Sequence, residues 1–163
     1  MKKNFFMSEN YINIYNNLVN FSRNKKLFTE FTKEDTFSDR LIIFLLHFAF
    51  FLKIYKNNEN QDKMQNIYDY IFKQIELNIR EIGYGDMSIN KKMKSYINIF
   101  HTLLKKIDLW ENLNDNRRDD LLRDLFDYRG DINDLTKYFE KYRLFLLKSS
   151  LNLFIKGVVN PKL

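Results

Sequence analysis

LIIFLLHFAFFL, residues 41–52, is the stretch that decides how the rest of the chain is read. Its apolar residues cover every face of a helix, so the segment belongs inside a protein interior and not at a surface. It is bounded by Arg40 and Lys53 and interrupted by His47. A membrane span needs about 20 apolar residues, and this run stops well short of that. The expectation is a central core helix over about 37–55, with other helices packed around it. His47 then has two readings: a core histidine bonded to a backbone carbonyl or a carboxylate, or a binding residue.

Outward from this run the helical period continues. Upstream, Tyr11, Ile14, Tyr15, Leu18, Val19 and Phe21 predict a first helical segment running to about Phe31. KEDTFSDR at 33–40 supplies a turn, with Asp35 or Thr36 placed to cap the central helix. Downstream, KNNENQDKMQN at 56–66 reads as a polar connection. The stripe Ile67, Tyr68, Ile71, Phe72, Ile75, Ile79 and Ile82 then leads to Gly83, where a left-handed helix terminus belongs. Met93, Tyr96, Ile97, Phe100, Leu104 and Ile107 trace the next helix. NDNRRDD at 114–120 caps a short acidic one that stops near Gly130, and a last helix runs from about Asn133 to Ile155 and ends at Gly157. The single proline is Pro161, and no strand-like alternation, repeat or long linker occurs. The expected fold is an all-α, single-domain bundle of about five to six helices spanning 1–163, with 158–163 as a tail.

Composition narrows the function classes. The chain of 163 residues has no cysteine, so disulfides and thiolate metal sites are excluded. Sixteen Phe, ten Tyr and a single alanine, Ala49, alongside abundant Asn, Ile and Lys, reflect AT-rich coding and carry no functional message. The opening MKKNFFMSEN has an apolar run too short for a signal peptide, which predicts a bacterial cytoplasmic protein. The net charge of +6 is unevenly spread. Residues 87–107 hold five lysines (Lys91, Lys92, Lys94, Lys105 and Lys106) and no acid, whereas 108–134 hold nine Asp or Glu against four Arg. Enzyme chemistry finds no motif: His47 and His101 fall on different predicted helices, and Gly83-x-Gly85 follows a helix and not a strand. No catalytic group, metal or cofactor is expected.

Three stretches in order carry a resemblance: YNNLVNFSRNKKLF at 15–28, DTFSDRLIIFLLH at 35–47 and YDYIFKQIELNIREIGYGDMSINKKMK at 68–94. The most specific string is Arg80-Glu81-x-Gly83-x-Gly85-Asp86. Together they resemble the ubiquinol–cytochrome c chaperone family, assembly factors for cytochrome b of respiratory complex III, over a best-matched core of about 15–100. The chain departs from the family pattern at several positions, with Asp39 in place of a glycine and Leu41 in place of a phenylalanine.

The resemblance implies a non-enzymatic chaperone that holds newly made cytochrome b while the bc1 complex assembles. It implies a peripheral position on the cytoplasmic face of a bacterial inner membrane. Mitochondrial relatives work with a small partner near the ribosomal tunnel exit, which makes a small assembly partner and the ribosome further expected partners; DNA is not one. Arg23, Asp35, Thr36, Arg40, His47, Arg80, Glu81 and Asp86, with Gly83 and Gly85 shaping the loop, are expected to form one polar cluster among the first three long helices. Client contact and structural clamp both remain open for it. The competing reading is a basic helical adaptor. It would use Lys91, Lys92, Lys94, Lys105, Lys106 and the basic last helix against an anionic membrane or against ribosomal RNA.

Overall fold

The computed structural model describes residues 2–29, 36–125 and 131–163, with side chains over 11–27, 36–125 and 131–163. Its elements are all helical: α1 (Lys2–Ser22), α2 (Lys25–Thr29), α3 (Phe37–Tyr55), α4 (Gln61–Glu81), α5 (Asp86–Asp108), a 3-10 turn (Trp110–Asn112), α6 (Asp115–Arg123), α7 (Ile132–Lys148) and α8 (Leu151–Lys156). Asp35, Phe126, Gly130 and the expected end of the first helix at Phe31 lie outside the described residues.

α3 is the axis of the bundle because it is apolar all round, and each face meets a different neighbour. Phe48 stacks on Phe100 of α5 with ring centroids 5.0 Å apart. Phe50 meets Trp110 edge-on at 5.2 Å and stacks on Phe139 of α7 at 5.7 Å. Phe51 meets Phe154 of α8 edge-on at 5.3 Å. α1, α5 and α7 all pack against α3, while α4 bridges α1 and α5. α1 and α4 run parallel, since Tyr11 lies against Tyr70 and Tyr15 accepts a hydrogen bond from Asn78 farther along.

The start of α3 is fixed locally. Thr36 accepts a bond from the Asp39 backbone N–H at 3.2 Å, and the Asp39 carboxylate accepts from the Thr36 N–H at 3.3 Å. This reciprocal capping box satisfies two of the donors that a helix N-terminus leaves open, and it uses the aspartate that departs from the family pattern. Thr36→Ala should cost about 1 kcal/mol in a urea titration, the usual worth of a helix cap.

Five long helices appear where the period predicts them, but both terminal segments are broken. The first ends at Ser22 and restarts at Lys25, with the Asn24 side chain accepting from the Lys26 N–H at 3.2 Å. The expected helix 133–155 divides at Ser149–Ser150. The Ser149 hydroxyl donates back to the Phe145 carbonyl, and Ser150 accepts from the Leu153 N–H to start α8. That bend turns Phe154 into the core and lays α8 along α1. The polar connection is shorter than expected, because α4 already begins at Gln61. Nor is the tail loose throughout: Val159 is buried, and its N–H donates to Asn17 of α1.

Candidate functional site

The Arg80–Asp86 segment closes a sharp turn between α4 and α5. Gly83 ends α4 at φ +100°, a conformation that L side chains rarely adopt, which explains one of the two loop glycines. Gly85 is different. Its φ of −71° and ψ of 158° suit any residue, and a Cβ there would meet nothing within 4 Å. Gly85 is therefore not required by space or by backbone conformation: it stands as the N-terminal residue capping α5, a role glycine fills without side-chain help. Neither Asp86 nor Ser88 caps that helix. The Asp86 carboxylate instead accepts from Arg80 Nη1 at 2.6 Å, and Arg80 also donates through Nε to Glu76, one turn earlier, at 3.1 Å. Arg80 thus ties the end of α4 to the start of α5 on an exposed surface. The hydrogen bond from Arg80 holds the Glu76 carboxyl below its ordinary range. Glu81 is exposed beside this pair.

Arg23 and Arg40 are elsewhere. They stand at a cleft of about 200 Å3 between α1, α3 and α4, whose walls include Val19, Phe37, Leu41, Phe44 and Ile75. Tyr15 and Asn78 close its α4 side through their 2.6 Å bond. The lining is thus mostly apolar, with Arg23 and Arg40 among the polar residues at its wall.

His47 belongs to neither place. It is fully buried, with Nδ1 donating to the Ile43 carbonyl at 2.7 Å and Nε2 2.8 Å from the Tyr138 hydroxyl. A carbonyl can only accept, so Nδ1 carries a proton; with the ring neutral, as its burial favours, Nε2 accepts from the Tyr138 hydroxyl, which also lies 3.5 Å from the Phe21 carbonyl. Burial lowers its pKa to about 4, against the opposing pull of the Ile43 bond. Phe139 and Tyr142 pack on the same ring at 5.0 and 4.7 Å. The structure thus takes the core-histidine reading.

The single polar cluster expected from the sequence is not formed by the described residues. It separates into the surface clamp Arg80–Asp86, the cleft arginines, the Thr36 cap and buried His47. The cause is helix phase. Asn78 faces the cleft, and a residue two positions on cannot share that face, so Arg80 points to solvent. His47 lies seven residues beyond Arg40, about 10 Å deeper along α3.

The basic surface also divides. Met87, Lys91, Lys94 and Lys105 share one exposed face of α5. Lys92 lies over the Tyr84 ring at 4.4 Å, a cation–π contact, while Lys106 is 3.8 Å from Asp124. His101 is exposed on α5, near the Tyr68 hydroxyl.

Two polar networks in the second half had no signal in the sequence beyond a run of mixed charge. Glu140 accepts from Trp110 Nε1 at 2.8 Å and from Arg143 at 2.7 and 3.0 Å. Burial pushes its carboxyl upward, but the bonds from Arg143 and Trp110 outweigh this and hold it below its ordinary range. Asp119, buried in α6, accepts from the Thr136 hydroxyl of α7. Among the described residues no group of three or more His, Cys, Asp or Glu could hold a metal, and no helix is long and apolar enough to cross a membrane.

The class these features define is an all-α helical bundle, with an arginine-clamped turn at one end and a largely apolar cleft beside it. The chain belongs to the ubiquinol–cytochrome c chaperone family, whose model matches residues 29–142. The match includes Arg40, His47 and the whole Arg80–Asp86 turn, and begins after Tyr15 and Arg23. The fold is similar to the crystal structure of the Cbp3 homolog from Brucella abortus, with a TM-score of 0.77 over 99% of this chain and 93% of that one. At 20% identity that likeness speaks for the fold alone. No curated protein sequence matches the chain.

Proposed function

We propose that the chain is an assembly chaperone that binds newly made cytochrome b at the membrane and supports assembly of the ubiquinol–cytochrome c reductase complex. In this reading residues 1–163 act as one chaperone domain without catalytic chemistry, peripheral to the cytoplasmic face of a bacterial inner membrane. The observation that carries it is the family match over 29–142, which takes in the clamped turn. The client-contact surface we assign to the end of the bundle where that turn and the Arg23–Arg40 cleft lie.

The test is co-purification of a tagged chain from detergent-solubilised membranes, read by mass spectrometry. Cytochrome b should be enriched over other abundant inner-membrane proteins, and the same experiment reports whether ribosomal proteins or a small partner accompany it. Recovery of ribosomal proteins or lipid without cytochrome b would move the function to the basic adaptor. Asp86→Ala addresses the turn. The pair it breaks is exposed, so the melting temperature should stay near that of the parent while cytochrome b recovery falls. Equal loss of both would make the pair a structural clamp and nothing more.

A further inference from the structure

The α4–α5 turn has a property that its clamp does not explain. Ile82, Tyr84 and Met87 are 51%, 42% and 89% exposed, which leaves three large apolar side chains standing out of one short reversal. The clamp joins Arg80 to Glu76 and Asp86, with Lys73 also on Glu76, and uses none of these apolar side chains. Directly behind the exposed tip, Lys91 and Lys94 continue the helix face that begins with Met87, and Lys92 rests on the Tyr84 ring.

We propose that this turn is a membrane-docking wedge: Ile82, Tyr84 and Met87 enter the interfacial zone of an anionic bilayer while Lys91, Lys92 and Lys94 meet its headgroups. Charge complementarity selects the occupant. Residues 80–94 carry four cations against two carboxylates, and one of those carboxylates, Asp86, is already held by Arg80. Asn78 lines the cleft with Arg23, one helical turn before Ile82, so Arg23 stands at the same end of the bundle. A tyrosine with an aliphatic neighbour and a lysine over its ring suits the boundary between acyl chain and headgroup. Size argues in the same direction. A stable protein interface buries about 800 Å2 on each partner, far more than three side chains on one turn offer, whereas a bilayer is bound by a shallow apolar insertion backed by basic residues.

A second exposed apolar set, Leu144 and Leu147 on α7, lies along the side of a helix and gives the control. The inference rests on the peripheral-membrane setting proposed above and supplies its docking element. Vesicles contain no cytochrome b, so failure to bind them overturns the wedge without touching client capture, and failure of client capture leaves the wedge standing.

The experiment is flotation of the purified full chain with phosphatidylcholine vesicles, with and without phosphatidylglycerol. Binding is expected only where the anionic lipid is present, and it should weaken with added salt. The triple change Lys91→Gln, Lys92→Gln, Lys94→Gln should lower the partition coefficient about 100-fold, given what each basic residue contributes near an anionic surface. Ile82→Ser with Met87→Ser should also lower it, with an unchanged melting curve because both side chains are exposed. Leu147→Ser should leave binding intact. Tyr84→Trp should show a blue-shifted emission on anionic vesicles over the constant background of buried Trp110. Absence of binding to anionic vesicles overturns the proposal. So does binding that survives the tip variants, binding lost with Leu147→Ser, or a Tyr84→Trp emission that keeps its water-exposed maximum on the vesicles.

Discussion

Lowering the pH from 6.5 toward 4 should remove about 3 kcal/mol of folding stability through His47 alone, with about 2 kcal/mol already gone at pH 5. In the unfolded chain His47 titrates near its ordinary 6.5, whereas burial holds it to about 4 in the folded one. Between those values the unfolded state binds more protons than the folded state, so stability falls as the pH falls; above 6.5 this contribution is fully present. The geometry agrees with the sign. Nε2 and Tyr138 can exchange donor and acceptor roles, with the Phe21 carbonyl taking the hydroxyl proton, so the cost of protonation is the charge itself, sealed among Phe139 and Tyr142 with no carboxylate in contact among the described residues. Urea titrations at pH 7.5, 6 and 5 measure the effect. The variant His47→Gln retains a polar group directed at Tyr138 but cannot titrate, so its stability should be flat between pH 7.5 and 5.5 while the parent's slopes. Parallel curves for the two proteins would mean that His47 charges readily in the folded state and is not sealed.

His47 also marks the limit of what the sequence discloses. The run 41–52 announces a core helix because its apolar residues cover every face, and a histidine inside it must then be buried. Its partner is not legible: Tyr138 lies ninety-one residues away on α7, where one tyrosine in an apolar stripe looks like any other. The same holds for Thr36, Gly83 and Asn114, whose roles are local and readable, against Glu140 and Trp110, whose contact is made by folding. The expected polar cluster failed for a related reason. Its members follow one another in the family's order along the chain, but order says nothing of helix phase, and phase sends Asn78 into the cleft and Arg80 into solvent. The division of α7 from α8 was hidden because Leu146, Leu147, Leu151 and Phe154 continue an apolar pattern through Ser149 and Ser150. Two serines fit an exposed helix position as well as they fit a break. Their hydrogen bonds decide for the break, and packing Phe154 against Phe51 and Tyr55 is its structural return.

That break gives Asn17 its importance, and Asn17→Ala should cost about 3 kcal/mol. The side chain is 1% exposed, and its amide donates to the Gly157 carbonyl at 2.8 Å and the Phe154 carbonyl at 3.3 Å. Its oxygen accepts from the Val159 N–H at 2.9 Å. Beyond the end of α8 these backbone groups have no helix to satisfy them, so one asparagine serves the last turn and the stretch of chain that follows. Alanine would leave two carbonyls and an amide poorly paired at a largely buried site, which costs more than three ordinary bonds are worth in water. Asn17→Asp should be worse at neutral pH, since a carboxylate cannot donate to either carbonyl and brings an unpaired buried charge. Asn13, one turn earlier, still bonds the Ile155 carbonyl at 2.8 Å, so α8 itself should remain docked while the segment after it loosens. Limited proteolysis should therefore cut after Lys156 in Asn17→Ala and not in the parent. Deleting residues 158–163 provides the cycle: if Asn17 acts chiefly by holding this segment, the deletion and Asn17→Ala together should cost distinctly less than the sum of the two, by about 1 kcal/mol or more. Strict additivity would place the role of Asn17 in the helix end alone and leave Val159 held by its own burial.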